Sequence, residues 1–130
     1  MCIRDRFIQL ARSAAEGVVF PAGKLIVASA IPDTDPQKAT LLEYTAAFQK
    51  EYQKPPNTFG GHAWDAFMLV RNALDEVGPD KDAIRAEVEK TKDFVGITGV
   101  FNFSPEDHNG LTKDSFTMVR IKDGKWTLAD

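Results

Sequence analysis

His62, Asp65 and His108 are the side chains here whose chemistry suits a metal ion, since imidazole nitrogens and carboxylate oxygens are ordinary ligands of zinc and its neighbours. His62 and Asp65 stand one helical turn apart, and a small metal-dependent enzyme could be built on the three. However, His-x-x-Asp is a common accidental spacing, and nothing in the sequence brings His108 to the other two. The expectation is no metal, no cofactor and no catalysis, with His62 hydrogen-bonding locally near a helix N-terminus. Asp107-His108-Asn109-Gly110 could pass for an acid–base pair. The favoured reading is an Asx-type turn in which Asp107 or Asn109 accepts backbone N–H groups and Gly110 takes positive φ. Gly60-Gly61 could cradle an anion at a helix start. The spacing lacks the third glycine of a dinucleotide fingerprint, and close backbone packing explains the pair at least as well. No Gly-x-Ser-x-Gly, P-loop or glycosidase-like carboxylate pair stands out, and Glu43, Glu51, Glu87 and Glu89 read as solvated helix faces.

The elements that would position these groups follow from apolar periodicity. Residues 17–20 form a short run rich in β-branched residues, predicted as a buried strand, and Leu25 to Ala30 could continue extended. Asp35 is a good N-cap with Pro36 at the first helical position, which predicts a helix to about Gln53. Leu41, Tyr44, Thr45, Phe48 and Tyr52 share one of its faces. A second helix is predicted from about Gly60 to Val77. Its inward stripe is Ala63, Phe67, Val70, Leu74 and Val77, widened by Trp64 and Met68, and it stops at Gly78-Pro79. Asp80 caps a third helix to about Thr91, with Ala83, Ile84 and Val88 inward. Val100 to Phe103 reads as a strand. Ser115 to Lys122 and Lys125 to Leu128 read as a hairpin turning at Asp123-Gly124, the dipeptide of a type I′ turn. That register pairs Ile121 with Trp126 and Val119 with Leu128 on one apolar face. Phe116 and Met118 share the opposite side with Arg120 and Lys122, so the first strand should begin under cover and end in solvent.

The chain has 130 residues, 43% apolar and 27% charged, which describes a globular domain or a piece of one. Sixteen basic against 19 acidic residues leave a net charge of −3 and no basic block, so nucleic acid is not an expected partner. The longest uncharged apolar stretch, Leu25 to Ile31, is far too short to span a membrane. The single cysteine, Cys2, excludes an internal disulfide. Residues 1–6 lack the layout of a signal peptide and read as a non-native leader, with Phe7 to Ser13 as a helix tail or turn arriving from elsewhere. Strands at both ends and helices without an intervening strand read as elements whose partners lie outside this chain.

Several segments in order resemble the C-terminal part of solute-binding proteins of branched-chain amino-acid type ABC transporters, the type I periplasmic binding proteins. They are Ala15-Glu-Gly-Val-Val-Phe-Pro-Ala22, Pro32-Asp-x-Asp-Pro36, Phe59-Gly-Gly-His-Ala-Trp-Asp-Ala66, Gly96-x-x-Gly-Val-Phe-Asn-Phe-Ser-Pro105, Asp107-His-Asn-Gly-Leu111 and Met118-Val-x-Ile121. The resemblance implies an α/β fold of two Rossmann-like lobes with ligand in the cleft between, of which residues 7–130 are a partial domain with three helices and a terminal β-hairpin. Residues 17–31 and 114–130 would belong to the second lobe and the crossover, and residues 33–112 to the first. It further implies an amino-acid or related carboxylate ligand, a membrane permease as partner, and a periplasmic or, in Gram-positive organisms, membrane-anchored extracellular location. Phe59 and His62, at a helix start near the interlobe face, are the expected ligand contacts in this part. A ligand-sensing domain of the same fold in a signalling protein is the rival reading, and the short tail after Leu128 argues against it.

Overall fold

In the computed structural model, which describes residues 3–129, the chain opens with helix α1 (Ile3–Ala11), followed by a 3-10 turn at Arg12–Ala15. A regular helix thus stands where a helix tail or turn was expected. Met1 and Cys2 lie outside the described residues. Strand β1 (Val19–Gly23) is shifted two residues from the predicted run, and of it only Ala22 is fully buried. The stretch expected to be extended contains a 3-10 turn, Lys24–Val27. That turn lets Leu25 and Val27 both enter the core beside Ala22, Ala28 and Val119, which an alternating strand would not allow.

Helix α2 (Lys38–Tyr52) begins later than predicted, with Gln37 at its N-cap. Asp35 does not cap the helix because the chain makes an extra tight turn first, closed by Asp35 N–H to the Pro32 carbonyl and Lys38 N–H to the Asp35 carbonyl. Its carboxylate instead accepts the Gln37 N–H at 2.9 Å and pairs with Lys24 at 2.7 Å. Burial opposes ionisation of Asp35, but the Lys24 ammonium and the Gln37 N–H outweigh it and hold the carboxyl below the ordinary aspartate range. A depressed folded value stabilises the fold above the unfolded pKa, and this stabilisation is lost as pH falls through the folded value. Asp35→Asn should therefore flatten the acid limb of a stability–pH curve without changing its neutral-to-basic limb. An unchanged acid limb would show that the pair contributes nothing. On α2, Leu41 is fully buried, Tyr44, Thr45 and Phe48 are half-buried, and Tyr52 is exposed. Removal of Leu41 from water contributes about 1.5–3 kcal/mol.

Helix α3 (Thr58–Val77) is capped by Asn57, whose Oδ1 accepts the Gly60 N–H at 2.9 Å, and ends at Gly78 with φ +75°. Its inward face corrects the prediction. Gly61, Asp65, Leu69 and Ala73 are buried, whereas Phe67, Val70 and Leu74 of the predicted stripe are exposed. Trp64 is exposed too and meets Tyr44 with ring centroids 5.8 Å apart. Small residues at four-residue spacing let the following loop approach closely. A Cβ on Gly61 would lie 2.7 Å from Ile97 Cγ2, and one on Gly96 would lie 2.7 Å from Asp65 Oδ1. Close packing, one of the readings of Gly60-Gly61, is the observed role of Gly61. Helix α4 (Lys81–Glu89) starts as expected, with the Asp80 carboxylate accepting the Asp82 and Ala83 N–H groups. Ala83, Ile84 and Val88 are half-buried rather than core.

Strands β2 (Phe94–Val95) and β3 (Val100–Phe101) form a two-stranded antiparallel ladder, shorter than the predicted Val100 to Phe103. Phe103 is still buried, stacked on Phe101 at 5.5 Å. Strands β4 (Phe116–Lys122) and β5 (Lys125–Leu128) make the expected hairpin, with Asp123 and Gly124 both at positive φ as a type I′ turn requires. The register pairs Ile121 with Trp126 and Val119 with Leu128. Phe116 and Met118 are exposed, so β4 does not begin under cover. The strands also find a neighbour within the chain. β1 pairs antiparallel with β4 along its whole length, giving a three-stranded sheet in the order β1-β4-β5.

Candidate ligand-binding site

The residues weighed for metal chemistry are each committed elsewhere. Asp65, 2% exposed on α3, accepts the Ile97 and Thr98 backbone N–H groups at 2.7 Å each. Gln37, equally buried, donates its side-chain amide to the Gly96 and Ile97 carbonyls from the other side. The loop between β2 and β3 is therefore gripped by its donors from α3 and by its acceptors from the start of α2. His62 Nδ1 lies 3.2 Å from Thr98 Oγ1. The partner is 36 residues away, so the expected local hydrogen bond is corrected to a tertiary one. His108 instead pairs with Glu89 at 3.1 Å, and Arg85 first, then His108, hold the Glu89 carboxyl below the ordinary range. Among the described residues no three His, Cys, Asp or Glu side chains are grouped to hold a metal ion.

Asp107 behaves as the turn reading predicts. Its Oδ1 accepts the Asn109 and Gly110 N–H groups at 2.9 and 3.1 Å, and Gly110 has φ +64°. Ser104 Oγ closes the preceding turn by accepting the Glu106 and Asp107 N–H groups.

These turns and the gripped loop shape a cavity of about 590 Å³. One wall is the three-stranded sheet, through Ala22, Gly23 and Phe116. The other is the helical layer, through Thr58 and His62 of α3 and Ile97-Thr98 of the loop. The Asn109–Lys113 segment completes it. Its ionisable lining consists of Lys113 and His62, with no carboxylate. Of the two expected contacts, His62 lines this cavity. Phe59 does not, and at 70% exposure it is not a core residue either. Thr98 and Lys113 carried no sequence signal, because their place here depends on the Asp65 and Asp107 turns. A second groove, about 800 Å³, lies between α2 and α3 and is walled by aromatic rings including Tyr44, Phe48, Trp64 and Phe67. It is the uncovered apolar helix face, and its deepest polar group, Asp65, is already saturated.

The sequence profile of the family described as "Periplasmic binding protein" matches residues 5–125. The chain belongs to that family. Among solved structures it is similar to an extracellular ligand-binding receptor from Rhodopseudomonas palustris HaA2, at 29% identity and a TM-score of 0.82, covering 96% of this chain and 37% of the receptor. It is similar to the substrate-binding protein LivJ of a branched-chain amino-acid transporter from Streptococcus pneumoniae, solved with isoleucine, at 25% identity, a TM-score of 0.63 and coverage of 94% and 32%. It shares the fold of the leucine-binding protein LivK from Thermotoga maritima at 20% identity and a TM-score of 0.69, covering 97% and 33%. No curated protein matches. The fold is accordingly part of the type I periplasmic binding protein architecture, and this family member spans about a third of the length of those relatives.

Proposed function

We propose that this chain is part of the solute-binding component of an ABC uptake system for branched-chain or aromatic amino acids or related carboxylates, and that it performs no catalysis. The observation that carries the reading is the cavity walled by the β1-β4-β5 sheet on one side and by α3 with its gripped loop on the other. A small ligand there touches both layers, and closure of one on the other would bury it. The division of residues 17–31 and 114–130 from residues 33–112 draws support from β1 and β4 lying in one sheet. His62 contacts ligand from the cavity wall, and exposed Phe59 closes over it when the lobes meet. The liganded form docks on a membrane permease, in the periplasm or, in Gram-positive organisms, at the outer membrane surface of the cell.

The test is calorimetric titration of the protein extended to the full family length, with leucine, valine, phenylalanine and their deaminated acids. Saturable heat with a Kd of about 1 μM or below is expected for one of these classes, corresponding to about −8 kcal/mol. Saturation by none of them would exclude the proposed ligand class.

A further inference from the structure

We infer that this cavity receives the carboxylate end of its ligand at Lys113 and offers nothing to an ammonium group, an inference that rests on the binding function proposed above. The chain carries 19 acidic against 16 basic residues, yet no acidic residue lines the cavity. The carboxylates nearest to it in sequence are turned to other partners. Asp107 holds two backbone N–H groups, and Asp114 accepts the Thr112 hydroxyl at 3.3 Å. Lys113 makes no ion pair among the described residues, unlike Lys24, Lys38 and Lys90. It is therefore a cation at the rim with its charge uncommitted.

His62 supplies a second donor. With the Thr98 hydroxyl donating to Nδ1, the ring keeps its proton on Nε2. Asp65 fixes that arrangement by holding the Thr98 backbone N–H at 2.7 Å. An ammonium and a histidine donor with no facing carboxylate make an anion subsite. Leu25, Ile97, Leu111 and Phe116 line the remainder and suit an apolar body. The ligand class is thus a monocarboxylate with an aliphatic or aromatic body. Any amino group it carries must be met by residues outside this chain.

Saturation-transfer NMR of the chain with millimolar 4-methylpentanoate, 3-methylbutylamine and leucine tests this, since the method reads weak binding and tolerates association of the protein. The acid should give strong transfer to its methyl groups, cut roughly tenfold by Lys113→Gln. Lys113→Arg should retain most of the signal. Lys122→Gln, the same charge change on β4 away from the cavity, should leave it intact. Equal transfer to acid and amine, or an acid signal indifferent to Lys113→Gln, would overturn the carboxylate assignment while leaving a binding function standing. Transfer to none of the three compounds would overturn both.

Discussion

Asp65→Ala should accelerate amide exchange at Ile97 and Thr98 roughly a hundredfold, the equivalent of about 3 kcal/mol of local stability. The side chain is 2% exposed and accepts two N–H groups at 2.7 Å each. Hydrogen bonds to a charged acceptor contribute about 1.5–3 kcal/mol each, and the two donors left behind are too enclosed to recover full hydration. Gly96 packs directly on the carboxylate, so alanine would also leave a gap beneath the loop. Asp65→Asn should fall between parent and alanine, because its amide nitrogen turns one acceptor into a donor facing a donor. Helix α4, capped independently by Asp80, should keep its protection in every variant. Exchange at Ile97 and Thr98 within about threefold of the parent would show that the loop is held by Gln37 and packing, with Asp65 dispensable.

The isolated chain should self-associate at micromolar concentration, melt over a broad range, and show no saturable heat with leucine, valine or phenylalanine. The reason is the outward face of α3, where Phe67 is 61% exposed and Trp64, Val70 and Leu74 are exposed beside it. Covering each such side chain contributes about 1.5–3 kcal/mol, so four of them supply a strong drive to association. Relatives of this fold are about three times longer, and the remaining two thirds of such a chain is the natural cover for this face. Phe67→Glu combined with Val70→Lys should reduce association sharply in sedimentation velocity, because both positions lie on the uncovered side and neither lines the cavity with Lys113. A sharp two-state melt of a monomer at about 100 μM, together with micromolar amino-acid binding, would contradict this expectation.

Local chemistry made part of the fold legible without a structure. The hairpin was readable to the residue pair, since Asp123-Gly124 accepts two consecutive positive φ values and alternation sets the register. Asp80 and Gly78 marked helix ends for equally local reasons, as did Asp107 for its turn. The family could be read from short motifs kept in order, although none of them is specific alone. The inward face of α3 could not be read. Periodicity counts bulk, and bulk pointed to Phe67, Val70 and Leu74, whereas the buried side was chosen by Gly61 and Ala73 permitting close approach and by Asp65 finding two donors.

The sequence by itself determined where the chain turns, where its helices are capped and which family it belongs to, because those properties depend on residues within a few positions of one another. Tertiary structure alone decided that Asp65 is an anchor and not a ligand, that His62 bonds Thr98, and that β1 pairs with β4 nearly a hundred residues later. It also decided that Lys113 faces a cavity free of carboxylates. Each of these is a pairing across a loop, and local propensity carries no information about which distant donor or acceptor will arrive.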